Sequence, residues 1–106
     1  MKTLVFVSLP MRGYSDEEIK ERQEEIFNEF KANDKDAQLI NPFEGKQVQM
    51  DMNDIAGRPD VYWLGHSIAA LSYADVVIFA KGWENFPGCR IEHKVATYYG
   101  IPIRHA

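Results

Sequence analysis

The fold is decided by residues 76–99, which read VVIFAKGWENFPGCRIEHKVATYY. The first five residues are apolar and rich in β-branched side chains, which is typical of a strand buried on both faces. Farther on, apolar and aromatic side chains recur at helical spacing, at Ile91, Val95, Tyr98 and Tyr99. The stretch therefore predicts a central strand, a loop, and a final helix that begins near Gly88.

The loop from Gly82 to Glu92 is the predicted functional segment. In open α/β sheets, ligands bind outside the carboxyl ends of the strands, which is where this loop lies. A helix that begins near Gly88 places Glu92 in or just after its first turn, where the helix dipole favours an ionised carboxylate whether or not it has a function. The glycines let a ligand approach the backbone, and Trp83 offers either a flat ligand-binding face or a core side chain. Glu92 is the main candidate residue.

Residues 3–9, 37–40 and 101–103 are predicted to be the other strands, because each is a short apolar run bounded by Pro, Asn, Asp or Gly. A capping box formed by Ser15 and Glu18 opens a helix that extends to about Ala32. With helices between the strands, the order predicts one domain over residues 1–106. We expect a flavodoxin-like or Rossmann-like three-layer sandwich whose mostly parallel sheet has four to five strands.

A second helix is predicted to begin at Asp60, whose side chain can cap it. Its apolar stripe is Val61, Leu64, Ile68 and Leu71. The preceding residues, 42–59, show no steady period. They are interpreted either as a flap with one helical turn near residues 52–56 or as a tolerated surface insertion.

Composition narrows the classes of partner. The 106 residues carry a net charge of -4 without a cluster of Lys or Arg, which argues against binding to nucleic acid or to an anionic membrane. The one cysteine, Cys89, excludes an intrachain disulfide. No apolar run approaches the length of a membrane span, and a cytoplasmic location is expected.

Standard catalytic motifs are missing. The three histidines have no metal-binding spacing, and there is no Walker, G-x-S-x-G or G-x-G-x-x-G sequence, so we expect neither a metal nor a cofactor. Cys89 has no general base near it in sequence and is interpreted as a small packing residue. Arg12 and Gly13, after the first strand, are only a weak indication of phosphate binding, and composition favours a plain surface arginine as the interpretation of Arg12.

Two segments, SLPMRG at residues 8–13 and ADVVIFAKGWENFPGCRIEHKVATYYGI at residues 74–101, resemble the nucleoside 2-deoxyribosyltransferase superfamily. The similarity is closest to its small, often phage-borne branch, in which a Gly-Trp-Glu-Asn loop runs into a Gly-x-x-x-Glu helix start. The resemblance implies cleavage of the N-glycosidic bond of a nucleoside or nucleotide, or transfer of its deoxyribosyl group. It also implies that Glu92 is the nucleophile.

By the same resemblance, two loops surround the substrate. The implied substrate-binding residues are Ser8, Pro10, Met11, Arg12, Gly13, Gly82, Trp83, Glu84, Asn85 and Gly88. The acid or orienting group is left open among Asp51, Asp54, His66 and Glu84. Phe86 stands where monophosphate-hydrolysing relatives have a serine, and His66-Ser67 where well-studied relatives have an aspartate.

A helix N-terminus is expected to keep Glu92 deprotonated, as a nucleophile requires. The alternative function is a non-catalytic module that senses a nucleotide derivative in the same pocket. A phosphoribohydrolase of the lysine-decarboxylase-like group is a weaker alternative, because its paired glycines and Gly-Thr are absent. The resemblance further implies a homo-oligomer, dimer or higher, for which the candidate interface aromatics are Tyr62, Trp63 and Tyr73.

Overall fold

The computed structural model describes residues 2–40 and 58–106. In chain order the elements are β1 (Thr3–Ser8), α1 (Asp16–Lys31), β2 (Ala37–Leu39), α2 (Pro59–Leu71), β3 (Val76–Phe79), a 3-10 turn (Trp83–Asn85), α3 (Pro87–Tyr98) and β4 (Ile103–His105). This is the predicted alternation of strands and helices. The flap and its helical turn near residues 52–56 lie outside the described residues.

In the described part of the chain, four strands form one sheet in the order β2-β1-β3-β4, and every neighbouring pair is parallel. The predicted fold class is confirmed: this is an α/β fold compatible with a flavodoxin-like or Rossmann-like sandwich. Because β1 and β3 are neighbours, Ser8 lies beside Phe79 at their carboxyl ends. The loops that follow these two strands therefore leave the same edge of the sheet.

Alternating side chains of β1 and β3 build a core on each face of the sheet. Val5, Val7 and Ile78 pack with Phe27 of α1 on one face. The other face is covered by α2 and α3, whose buried residues there join Phe6, Val77 and Phe79. The three layers are thus α1, the sheet, and the pair α2 and α3, and Ser8 points to the side of α2 and α3.

The last strand begins two residues later than predicted. Ile101 closes α3, because its backbone N–H donates to the carbonyl of Ala96 while Gly100 takes the left-handed conformation with φ +71. The Pro102 carbonyl then accepts from Val77, and pairing with β3 continues through Ile103–His105. Gly100 is therefore correctly predicted as the helix terminator. Of the predicted strand residues 101–103, Ile103 belongs to β4, whereas Ile101 and Pro102 precede it.

Two helix predictions are also corrected. Helix α2 begins at Pro59 with Arg58 as its N-cap residue, so Asp60 belongs to the first turn and is not the cap. Val61 is exposed, and the buried stripe of α2 starts only farther along. The Ser15 capping box of α1, in contrast, is confirmed in both of its hydrogen bonds with Glu18.

The buried face of α3 differs from the predicted one. Tyr98 and Tyr99 are 76% and 80% exposed, while the buried residues of the helix are Cys89, Glu92 and Ala96. Small side chains at Cys89 and Ala96 let the helix lie close to the sheet, where a tyrosine would not fit. This rotation turns Glu92 inward. None of the described helices combines the length and apolar character that crossing a bilayer requires.

Candidate functional site

Glu92 lies on the inner face of α3, against the carboxyl end of β1. Its carboxylate oxygen Oε1 accepts a hydrogen bond of 2.8 Å from the hydroxyl of Ser8. Only 6% of Glu92 and 1% of Ser8 are exposed. The loop after β1 and the helix after β3, separated by 84 residues in sequence, therefore meet at one buried polar contact.

Burial controls the ionisation of Glu92. It raises the pKa of this carboxyl to about 7, and the hydrogen bond from Ser8 offsets only part of the rise. The expectation that the helix dipole keeps Glu92 deprotonated is therefore wrong. Since α3 begins at Pro87, Glu92 lies beyond the first turn, where the effect of the dipole has largely decayed. Near neutral pH the carboxyl is divided between its ionised and protonated forms.

Cys89 is the third member of this cluster. Its thiol lies one helical turn before Glu92 on the same face and is buried. Burial raises the pKa of the thiol, and the charge of Glu92 adds to that rise. Sequence reasoning assigned Cys89 to packing alone. The available signal was its i, i+3 spacing from Glu92, which places both residues on one helix face.

The loop after β1 is buried at its start and exposed farther along. Pro10 is buried, whereas Met11, Arg12 and Gly13 are exposed. Arg12 lies 3.8 Å from Asp60 of α2, and both side chains are more than 80% exposed. Exposed pairs of this kind contribute little to stability, so the Arg12 guanidinium can exchange this partner for a ligand at small cost.

The loop after β3 is shaped by Gly82 and Trp83. Gly82 has φ +87, a conformation that other residues rarely adopt, and a 3-10 turn follows it. Trp83 is half-buried, stacks on His93 at 4.2 Å and packs against Phe79. One face of the indole is thus covered by His93, which favours the core interpretation of Trp83. The sequence carried no signal for this stack.

Glu84 and Asn85 are exposed in the 3-10 turn, and a side chain at Gly88 would touch Leu64 of α2 at 3.9 Å. His66 lies on α2 beside the rings of Tyr62 and Trp63. Asp51 and Asp54, the two other candidate acids, lie outside the described residues. The structure thus brings Ser8 to Glu92 and adds Cys89 to them.

Two clefts of about 440 and 370 Å³ open on the opposite face of the sheet. The larger is lined by Phe30, Ile78 and Arg104, and the smaller by Arg22 and Lys81, with α1 forming one wall of each. Neither is lined by Glu92 or by residues 8–13. Within residues 2–40 and 58–106, no three His, Cys, Asp or Glu side chains are grouped to hold a metal ion.

The chain matches no protein-family model, no curated protein and no solved structure.

Proposed function

We propose that this chain cleaves the N-glycosidic bond of a nucleoside or nucleotide, or transfers its deoxyribosyl group, with Glu92 as the nucleophile. The observation that supports the proposal most strongly is the buried carboxylate of Glu92 and its 2.8 Å hydrogen bond from Ser8. Burying a carboxyl away from water is unfavourable, so a protein that retains one at the carboxyl edge of its sheet holds a group suited to chemistry.

The proposed reaction, which the sequence resemblance implies, uses that group. Ionised Glu92 attacks C1′ of the sugar as the bond from C1′ to the base nitrogen breaks, and the bond's electron pair leaves with the base, which takes up a proton. Water or a second base then attacks C1′ and releases the Glu92 carboxylate. A carboxylate in a poorly solvated site stabilises the positive charge that develops on the sugar more strongly than one in water.

The pKa of about 7 sets the working range of this nucleophile. Glu92 must be ionised to attack, so base release is expected to increase as the pH rises through about 7. The acid that protonates the leaving base stays open among Asp51, Asp54, His66 and Glu84. Arg12, an exposed residue of the loop after β1, supplies a positive charge that can bind a 5′-phosphate.

The experiment is a substrate panel. Deoxynucleosides, ribonucleosides and their 5′-monophosphates are incubated with the protein, and free base is measured by chromatography. We expect release from at least one class of substrate, loss of release in Glu92→Gln, and retention in the control Glu24→Gln, because Glu24 is exposed on α1. Release that persists in Glu92→Gln would refute the nucleophile assignment.

One observation favours the second candidate function, a module that binds a nucleotide derivative without cleaving it. A buried carboxyl with a pKa of about 7 is partly protonated near neutral pH, and the protonated form can donate a hydrogen bond to a ligand. This function predicts that ligands of the panel raise the melting temperature while no base is released.

We also propose a homo-oligomer. Of the candidate interface aromatics, Tyr73 is exposed, whereas Tyr62 and Trp63 pack against each other and against His66. Tyr73→Ser is therefore expected to reduce the molar mass of the assembly measured by light scattering. Tyr14→Ser, in the loop before α1, is the control. A wild-type monomer would contradict the proposal.

A further inference from the structure

The backbone of Ser8 is fixed by the sheet. Ser8 is the last residue of β1, lies beside Phe79 in the register with β3, and accepts a hydrogen bond of 2.9 Å at its carbonyl oxygen from the backbone N–H of Ala80. Side chains carried by strands are placed more precisely than side chains carried by loops. The hydroxyl that reaches Glu92 is therefore presented from a paired strand.

The hydroxyl of Ser8 is engaged with Glu92. It donates to Oε1 at 2.8 Å, and a serine hydroxyl has one proton to donate. Only 1% of Ser8 is exposed, so a ligand that enters from solution meets almost none of it. The sequence resemblance implies that Ser8 binds substrate. A buried donor that is already engaged is better suited to act on the substrate through Glu92.

We propose that Ser8 is a positioning residue: its hydroxyl holds Oε1 of Glu92, favours the ionised carboxylate, and leaves Oε2 as the oxygen that attacks the sugar. In the described part of the chain, Oε1 accepts the hydrogen bond from Ser8 and Oε2 accepts none. All lone pairs of Oε2 are therefore available for attack. The attack rests on the proposed function, whereas the effect of Ser8 on ionisation does not depend on catalysis.

The strand and the helix next to α3 present no described charge to this carboxyl. The neighbouring strand β3 is apolar over Val76–Phe79. The buried residues of α2 are Ser67 and Leu71, which carry no charge, and His66 of α2 lies against the ring of Tyr62.

On α3 itself the titratable neighbour of Glu92 is Cys89. Burial raises the pKa of this thiol, so it stays neutral near pH 7. His93 of α3 stacks on Trp83. Within residues 2–40 and 58–106, burial and the hydrogen bond from β1 are thus the influences that shift the pKa of Glu92. Loss of that hydrogen bond is therefore expected to be visible in the titration of Glu92.

Ser8→Thr and Ser8→Val are a matched pair of variants, because both new side chains are β-branched and suit a strand, and one of them lacks the hydroxyl. A carbon-13 NMR titration of the side-chain carboxyls in the full chain gives the midpoint, with the Glu92 signal identified by its loss in Glu92→Gln. Ser8→Val is expected to raise the midpoint by about one pH unit or more, because hydrogen bonds to charged groups are among the stronger ones. Ser8→Thr keeps the donor and is expected to stay close to wild type.

Equal midpoints in the two variants overturn the inference, because the added bulk is the same and the hydroxyl then has no influence. Ser8→Ala covers the case in which the buried site does not accept the larger side chains. It removes the hydroxyl without adding bulk and is also expected to raise the midpoint by about one pH unit or more. A midpoint in Ser8→Ala that equals that of wild type overturns the inference as well.

The kinetics of base release test the positioning role. If the midpoint rises by about one unit, the ionised fraction of Glu92 at pH 7 falls from about a half to about a tenth. The kcat of Ser8→Val is therefore expected to be about fivefold lower than that of Ser8→Thr at pH 7, with the same KM, because the hydroxyl does not contact the substrate. A loss confined to KM, with an unchanged midpoint, assigns Ser8 to substrate binding and overturns the inference.

The titration and the base release also separate this inference from the proposed function. If the midpoint follows the hydroxyl but no substrate releases base, the proposed function fails and the control of Glu92 ionisation by Ser8 stands. If Glu92-dependent base release is found but the midpoint is insensitive to the hydroxyl, the inference fails and the proposed function stands.

Discussion

The ionisation of Glu92 is predicted to destabilise the fold, and Glu92→Gln measures by how much. The pKa of this carboxyl is about 7 in the folded protein against 4.5 for the unperturbed group. Because one pKa unit corresponds to about 1.4 kcal/mol, a difference of about 2.5 units amounts to about 3 kcal/mol. Because the pKa is higher in the folded protein than in the unfolded chain, the fold is more stable with Glu92 protonated than with Glu92 ionised. This contribution to stability is fully present below about pH 4.5 and is lost as the pH rises to about 7.

Glutamine keeps the size and hydrogen-bonding capacity of the protonated side chain and cannot ionise. In urea unfolding from pH 4 to pH 9, Glu92→Gln and wild type are expected to have similar free energies of unfolding near pH 4. Between about pH 4.5 and 7, the free energy of unfolding of the variant should rise relative to that of wild type by about 1.4 kcal/mol per pH unit. The difference should reach about 3 kcal/mol. Glu24→Gln, in an exposed position of α1, is the matched control and should show no such change.

The difference in free energy of unfolding between wild type and Glu92→Gln reports on Glu92 alone, because all other titrating groups are common to both proteins. A difference that stays constant with pH would show that Glu92 titrates alike in the folded and unfolded chains. A difference of opposite sign, with wild type becoming the more stable protein as the pH rises, would show that its folded pKa is lowered. Either result would refute the argument that burial controls this carboxyl.

Four further predictions concern the pH dependence of base release and the stability of three variants. The kcat/KM for base release is expected to rise with pH along a single ionisation with a midpoint of about 7, checked by rates on the best substrate of the panel. Ser15→Ala should lower the free energy of unfolding by about 1 kcal/mol, because it removes the capping box of α1, and urea unfolding checks this. Gly82→Ala should cost about 1 kcal/mol or more in the same assay, because φ is +87 there, and a cost near zero would contradict the described turn. Asp60→Asn should change stability by less than about 1 kcal/mol, since its contact with Arg12 is almost fully exposed.

Local signals in the sequence were sufficient for most of the fold. The β-branched run at residues 76–80 has one reasonable interpretation, and the Ser15 capping box and Gly100 mark helix ends through hydrogen bonds between near neighbours. The parallel sheet also explains why the approach of Ser8 to Glu92 was foreseeable. Carboxyl ends of adjacent parallel strands meet at one edge, so the loops that follow them converge.

The predictions that failed depend on the packed chain. In the sequence, Tyr98 and Tyr99 continue the apolar pattern expected of the buried face of α3, but both are exposed in the structure. The rotation of α3 is decided by the close fit of Cys89 and Ala96 against the sheet. That rotation also buries Glu92 and raises its pKa, whereas sequence reasoning had only the helix dipole to consider. Desolvation depends on which atoms surround a group, and spacing along the chain does not contain that information.

The nucleophile assignment is tested most directly by trapping the covalent intermediate. Wild-type protein is mixed with the best substrate of the panel, quenched rapidly in acid, digested, and analysed by mass spectrometry. We predict that the peptide containing Glu92 carries one glycosyl group, and that the group is absent in Glu92→Gln. Base release without modification of this peptide, or a glycosyl group attached to another residue, would contradict the assignment.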